Sequence, residues 1–304
     1  MVLSSSFRNS LITVVAPVVW GSTYLVTTEL LPPDRPLLAS VVRALPAGLI
    51  LVVLGRALPR GRWWWRTLVL GILNIGAFFY FLFVAAYHLP GGVAALVMSV
   101  QPMIVLLMGA GLLGARIRAV HIYSCILGAV GVGLLVVQPG ASLDQIGVLA
   151  GLAGAASMAS GIVLTKLWGR PDGVGVLTFT GWQLTVGGAV LLPFMMIGEG
   201  IPRVVTAENI SGFLYLSVIG ALLAYAVWFR GIEKLPALAV SFLSFASPLA
   251  AALLGYLVLG QSLSPVQLIG AAIVVGAAII VVAAGSHPSK GGRGTVGIAT
   301  SVEV

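Results

Sequence analysis

One arginine sits inside an apolar run, and no other residue of the chain carries so much chemical consequence. Arg43 interrupts the stretch 37–57, which is otherwise almost free of charge. At 1.5 Å per residue it lies about 9 Å into a helix that begins near residue 37. A charge at such a depth in a bilayer costs about 2.5–3.5 kcal/mol on insertion scales, so something must compensate it. A fixed guanidinium would hold an anionic or carboxylate-bearing solute through charge-assisted hydrogen bonds. The structural alternative is a pair with Glu29 at the outer end of the preceding run, or snorkelling to the outer surface.

Other polar side chains gather at comparable depths. Trp20, Ser22, Thr23 and Tyr24 surround Gly21 near the middle of the first apolar run. Successive helical residues point 100° apart, so these four divide between lining a cavity and packing against neighbours. Asn74 and Tyr80, Trp182 and Gln183, and Tyr225 form a second group of candidates for a solute-binding surface. Trp182 falls opposite Arg43 when the second apolar run is aligned with the seventh, and an aromatic ring is expected to face the cavity there. Trp228 and Tyr87 fall near predicted helix ends, where aromatic rings anchor at the membrane interface. Gln101, Ser99, Ser244 and Ser247 stand beside Pro102 and Pro248. A proline inside a membrane helix frees a carbonyl and makes either a hinge or a static kink. Pro17 and Pro46 are placed to do the same.

These residues belong to a membrane protein. Of 304 residues, 59% are hydrophobic and 8% charged, with a mean hydropathy of +1.11. A soluble domain carries about 25% charged residues. Soluble enzymes, nucleic-acid modules and disordered chains are thereby excluded. A single cysteine, Cys125 in an apolar run, excludes a disulfide framework or a cysteine metal site within one chain. No GxxxxGK[ST] segment points to ATP, and no HExxH or Asp-rich cluster points to a metal, so no cofactor is expected. None of the eight acidic residues falls at the centre of an apolar run, which speaks against proton coupling through a buried carboxylate.

A hydrocarbon core about 30 Å thick takes about 20 apolar residues as a helix. Windows of that length predict ten spans: 11–28, 37–57, 67–86, 91–114, 119–137, 145–165, 174–197, 210–229, 237–259 and 265–284. Residues 1–10 precede them, and 285–304 read as a mobile polar tail. With the N-terminus inside, the cytoplasmic segments hold 13 of the 16 basic residues: Arg8, Arg56, Arg60, Arg62, Arg66, Arg116, Arg118, Lys166, Arg170, Arg230, Lys234, Lys290 and Arg293. Only Arg35 and Arg203 fall outside. This split predicts two cytoplasmic termini and accounts for the net charge of +8 without nucleic acid. Trp63, Trp64 and Trp65 at the cytoplasmic start of the third run read as interfacial anchors.

The chain also repeats itself. Residues 89–114 and 235–260 align without gaps: Leu89/Leu235, Pro90/Pro236, Pro102/Pro248, Gly109/Gly255 and Gly114/Gly260 are among the matches. Each half, 11–137 and 145–284, then holds five helices. Five is odd, so the second half enters the membrane upside down relative to the first. The expected fold is all-α, ten transmembrane helices as two inverted five-helix repeats, an architecture suited to a midplane site that opens alternately to either side. Rows of small residues, Gly147, Gly151, Ala155 and Ala159 in one run and Ser124, Gly128 and Gly131 in another, predict close helix packing or a homodimer contact.

Trp20-Gly21-Ser22-Thr23-Tyr24, Arg43-Ala44, Leu89-Pro90 with Gln101-Pro102, and Leu235-Pro236 with Ser247-Pro248 and Gly260 resemble the EamA-type transporters of the drug/metabolite transporter superfamily. The resemblance covers residues 11–284. It implies a ten-helix bacterial inner-membrane carrier, often an exporter of amino acids and other small metabolites. Its cavity would be lined by helices 1–4 and 6–9, with helices 5 and 10 to the side. One departure stands out: the sixth helix reads Ser157-Met158-Ala159-Ser160 where the family often has a tryptophan. The reading is a secondary transporter, in the efflux direction, of amino-acid-like or amphiphilic solutes. Its rivals are a membrane enzyme acting on lipid-linked substrates and a non-transporting scaffold.

Overall fold

The computed structural model describes residues 5–89, 91–136, 144–260 and 264–285. Pro90, residues 137–143 and the predicted tail from 286 onward lie outside them. Among the described residues, eight helices are long and apolar enough to cross a membrane: α1 (Ser5–Leu30), α2 (Pro36–Gly55), α3 (Trp63–His88), α4 (Val93–Leu113), α6 (Gln145–Trp168), α7 (Val176–Gly198), α8 (Ala207–Lys234) and α9 (Ala237–Val258). Two shorter apolar helices, α5 (Ala119–Leu135) and α10 (Pro265–Val281), complete the series. Their backbones satisfy their own hydrogen bonds, which a hydrocarbon solvent demands.

The connections define two ends of the bundle. At one end Arg35 donates to the Glu199 and Gly200 carbonyls, Asn209 to that of Leu30, and Tyr87 to that of Pro32. The Glu199 carboxylate accepts from the backbone N–H groups of Leu37 and Leu38, covering donors that the start of α2 leaves unpaired. At the other end Lys166 donates to the carbonyls of Ile232 and Glu233, Arg170 pairs with the Glu233 carboxylate, and Arg230 donates to Asn9. Arg66 lies over the rings of Trp63, Trp65 and Trp168 there. For convenience these are the Glu199 end and the Glu233 end. α1 and α3 run toward the Glu199 end, and α6 and α8 run toward the Glu233 end.

Helices 2 and 7 form the most extensive contact, followed by 3 with 6 and 5 with 10. Glycine makes the first of these close. A methyl group on Gly48 would stand 2.3 Å from the Thr185 backbone nitrogen, and one on Gly188 would stand 2.8 Å from Leu45. The small-residue rows likewise pack inside the chain: Gly147 meets His88 and Leu89, Gly151 meets Val97, Gly128 meets Phe245, and Gly131 meets Ile273.

Four irregularities matter for the site. α3 widens into π-helix at Ile72–Gly76 and α8 does so at Tyr215–Leu223. α4 and α9 lose their helical turn at Ser99-Val100 and Ser244-Phe245, just ahead of Pro102 and Pro248. Pro46, by contrast, sits within an unbroken α2, and Pro17 sits in the short segment Val15–Gly21 of an α1 interrupted at Val14 and Ser22.

Candidate functional site

A cavity of about 80 Å³ lies among α1, α2, α3, α4, α6 and α9. Eight of the sequence candidates line it: Trp20, Thr23 and Tyr24 from α1, Arg43 from α2, Gln101 from α4, and Ser244, Ser247 and Pro248 from α9. The broken stretches of α4 and α9 both face it, through Ser99 and through Ser244 and Phe245. Phe78, Leu82, Ala95, Met98 and Met158 supply apolar wall that sequence reasoning did not single out. Neither α7 nor α8 contributes a lining residue, unlike the helix set the resemblance implies.

Arg43 is the charged residue among those lining residues, and its side chain is only 1% exposed. The expected pair with Glu29 is not formed; Glu29 is exposed at the end of α1. The guanidinium instead turns inward, donates from Nη2 to the Gly220 carbonyl at 3.2 Å, and lies 4.6 Å from the centre of the Phe79 ring. Trp20 Nε1 donates to the same carbonyl at 2.9 Å. Gly220 belongs to the π segment of α8, where the widened turn presents a carbonyl to donors from other helices. This explains the choice of partner: a backbone oxygen inside the bundle replaces a carboxylate at its rim. Arg43 Nε and Nη1, and Gln101 Nε2, have no acceptor among the described residues.

Beneath the cavity, toward the Glu233 end, lies an aromatic floor. Trp20 packs against Tyr225 and Trp228, with ring centres 4.7 and 5.0 Å apart, and Tyr225 continues to Phe79 at 5.5 Å. Trp228 is thus no interfacial anchor. α8 runs on to Lys234, beyond the predicted end at 229, and that extension places the indole wholly inside the bundle. Tyr87 reaches the Pro32 carbonyl near its helix end, and Trp64 and Trp65 are exposed at the start of α3.

The remaining candidates lie away from the cavity. Ser22 shares a 2.7 Å hydrogen bond with the Tyr215 hydroxyl. Tyr80 packs against the cluster of Leu38, Val41, Leu191 and Met195. Trp182 does not face the cavity as expected; its Nε1 donates to the Ala57 carbonyl at 2.7 Å and its ring packs beside Leu70 and Phe179, because it sits one residue round the helix from the inward face. That face belongs to Gln183, which accepts from Asn74 Nδ2 at 2.8 Å. Pro102 is buried in α4 and is not among the lining residues. Ser157, at the position of the family departure, donates to the Leu73 carbonyl at 2.8 Å. Outside the spans, Asp144 caps the start of α6 by accepting from Gly147, which, with His88 at 3.4 Å, holds its carboxyl below the usual carboxylate range.

The comparisons agree with this architecture. The EamA-like transporter family matches the chain over residues 9–137 and again over 145–283. Protein PecM of Dickeya dadantii (strain 3937) is 52% identical over 259 residues, 85% of this chain and 87% of that protein. The uncharacterised inner membrane transporter YedA of Escherichia coli (strain K12) is 28% identical over 267 residues, 85% of each. One crystal structure superposes with a TM-score of 0.76 at 21% identity, covering 91% of this chain and 97% of the other, so the two share a fold. A multi-pass helical bundle with an internal cavity, matched twice along its length, identifies this chain as a membrane transporter of the EamA-like family, within the drug/metabolite transporter superfamily.

Proposed function

We propose that the chain is a secondary carrier that exports small amino-acid-like or amphiphilic solutes bearing a carboxylate, by alternating access between two inverted five-helix halves. The carrying observation is Arg43: a buried guanidinium with two unpaired donor atoms at the wall of a cavity enclosed by helices of both halves. A carboxylate placed there would accept charge-assisted hydrogen bonds where water is scarce. The serines, Gln101 and Tyr24 offer further polar contacts, while Trp20, Phe78 and Leu82 suit an apolar body.

Several backbone coincidences support the inverted halves. Gly114 and Gly260 end α4 and α9 in the left-handed region, with φ of 64° in both. Leu89 and Leu235 end α3 and α8 in extended conformation. The π segments fall in the third helix of each half, and the broken turns fall in the fourth. The packing also survives exchange of each helix for the one five places on: 3 with 6 becomes 8 with 1, 4 with 6 becomes 9 with 1, and 2 with 8 becomes 7 with 3. The basic loops favour an inner-membrane orientation with the Glu233 end and both termini in the cytoplasm. The partners on this reading are the solute and the bilayer.

Counterflow in proteoliposomes tests the reading. Vesicles preloaded with L-amino acids, other carboxylates or their amides should accumulate the matching labelled solute above protein-free controls. Carboxylates should exceed amides, and Arg43→Ala should abolish the preference. An absence of counterflow across the whole panel would remove the proposal.

A further inference from the structure

The donors and acceptors around the two π segments are arranged as counterparts. Arg43 is the eighth residue of α2, counted from Pro36, and Gln183 is the eighth residue of α7, counted from Val176. Gly220 lies 14 residues before Lys234 at the end of α8, and Asn74 lies 14 residues before His88 at the end of α3. Arg43 bonds to Gly220, and Gln183 bonds to Asn74. The first helix of each half adds one donor to the π segment of the other half: Trp20 to Gly220, and Ser157 to Leu73. Yet the cavity opens beside only one of the two arrangements. Asn74 and Gln183 are both fully buried, and Gly161 packs so close that a methyl group on it would stand 2.0 Å from Asn74 Oδ1.

This second arrangement holds unused hydrogen-bonding capacity. Asn74 Nδ2 donates to Gln183 Oε1 and lies 3.1 Å from Thr165 Oγ1, which leaves Asn74 Oδ1 and Gln183 Nε2 without partners. Buried polar groups are nearly always paired, so one acceptor and one donor left idle side by side point to another occupant.

We propose that Asn74 and Gln183 form a second solute station, counterpart to Arg43, that lines the cavity when it opens toward the Glu233 end. The inference rests on the carrier reading above and adds a substrate requirement to it. Gln183 Nε2 would donate to the carboxylate that Arg43 holds in the other state, and Asn74 Oδ1 would accept from an ammonium or amide N–H. The preferred solute therefore carries a donor beside its carboxylate. Exchange of a guanidinium for a neutral amide weakens the hold on the carboxylate by about tenfold to a hundredfold, the difference between charged and neutral hydrogen bonds.

A thiol-accessibility experiment on the full-length carrier tests this. Cys125 is the chain's single cysteine, so Cys125→Ser gives a cysteine-free background, and counterflow by that variant checks the carrier reading separately. Gln183→Cys and, as a milder site, Thr165→Cys are exposed to a membrane-impermeant methanethiosulfonate from the Glu233 face, with and without Glu233→Gln, which breaks the Arg170 pair. Breaking the pair should raise labelling at both sites at least fivefold and lower labelling of Thr23→Cys from the Glu199 face. An α-amino acid that drives counterflow should slow the labelling of Thr165→Cys, which keeps Asn74 and Gln183 intact and lies beside them, whereas its N-acetyl, O-methyl derivative should not. Counterflow that persists while both sites stay unreactive, or labelling that no amino acid slows, would overturn the second station. Absence of counterflow in the wild-type carrier, assayed alongside, would instead remove the carrier reading and this inference with it.

Discussion

Arg43 holds its guanidinium carbon 4.6 Å from the centre of the Phe79 ring, so the buried cation leans on an aromatic face and a backbone oxygen rather than on a carboxylate. A cation over a ring gains about 0.5–2 kcal/mol, and no carboxylate among the described residues neutralises the charge. The guanidinium keeps capacity for an anion that comes and goes.

Arg43→Ala should therefore raise the half-saturation concentration for carboxylate solutes about tenfold to a hundredfold, corresponding to about 1.5–3 kcal/mol for a hydrogen bond to a charged group. Arg43→Lys should recover part of the loss, because it restores charge without the planar fork. Concentration-dependent counterflow, run with each solute and its amide, reads the difference.

Trp20→Phe removes the hydrogen bond to Gly220 and keeps a ring against Tyr225 and Trp228. The expected loss of stability is about 1 kcal/mol, the net worth of one such bond. Trp20→Ala also opens the aromatic floor and should cost about 3–5 kcal/mol. Thermal unfolding of the detergent-solubilised variants ranks them.

Gly48→Ala should destabilise by about 1–3 kcal/mol, because the new methyl meets the α7 backbone. Gly111→Ala, in α4 with open space around it, should leave stability unchanged or raise it by up to about 1 kcal/mol through helix propensity. The same melting assay compares the pair.

Asp144 supplies a pH test. Its carboxyl titrates below the ordinary value near 3.8, chiefly because it accepts from Gly147. The resulting stabilisation is present above that value and is lost as pH falls through the lower folded one. Melting temperature followed from pH 6 downward should show a decline that Asp144→Asn lessens, since an amide still caps the helix but does not titrate in this range.

Arg43 was legible in the sequence because a charge in an apolar run is costly wherever it points. Its partner was not: Gly220 acts through a main-chain oxygen, and nothing in the letters Tyr215 to Leu223 announces a π-helix. Phe78, Leu82 and Met98 escaped for a related reason. In a membrane protein, an apolar residue facing a cavity reads the same as one facing lipid. Eight long apolar helices and the two shorter ones follow from hydropathy alone, since lipid forces each backbone to close on itself. Helix ends were less legible, and five residues at the end of α8, 230–234, decided whether Trp228 belonged to the interface or to the floor.

Gly48, Gly181 and Gly188 bring α2 and α7 so near that side-chain bulk on one would strike main chain of the other. Backbones in such proximity have no slack to ratchet past each other by a 5.4 Å turn. Those two rods form a single keel, and the alternating access proposed above would then draw its movement from elsewhere, with the broken turns preceding Pro102 and Pro248 as the places to look.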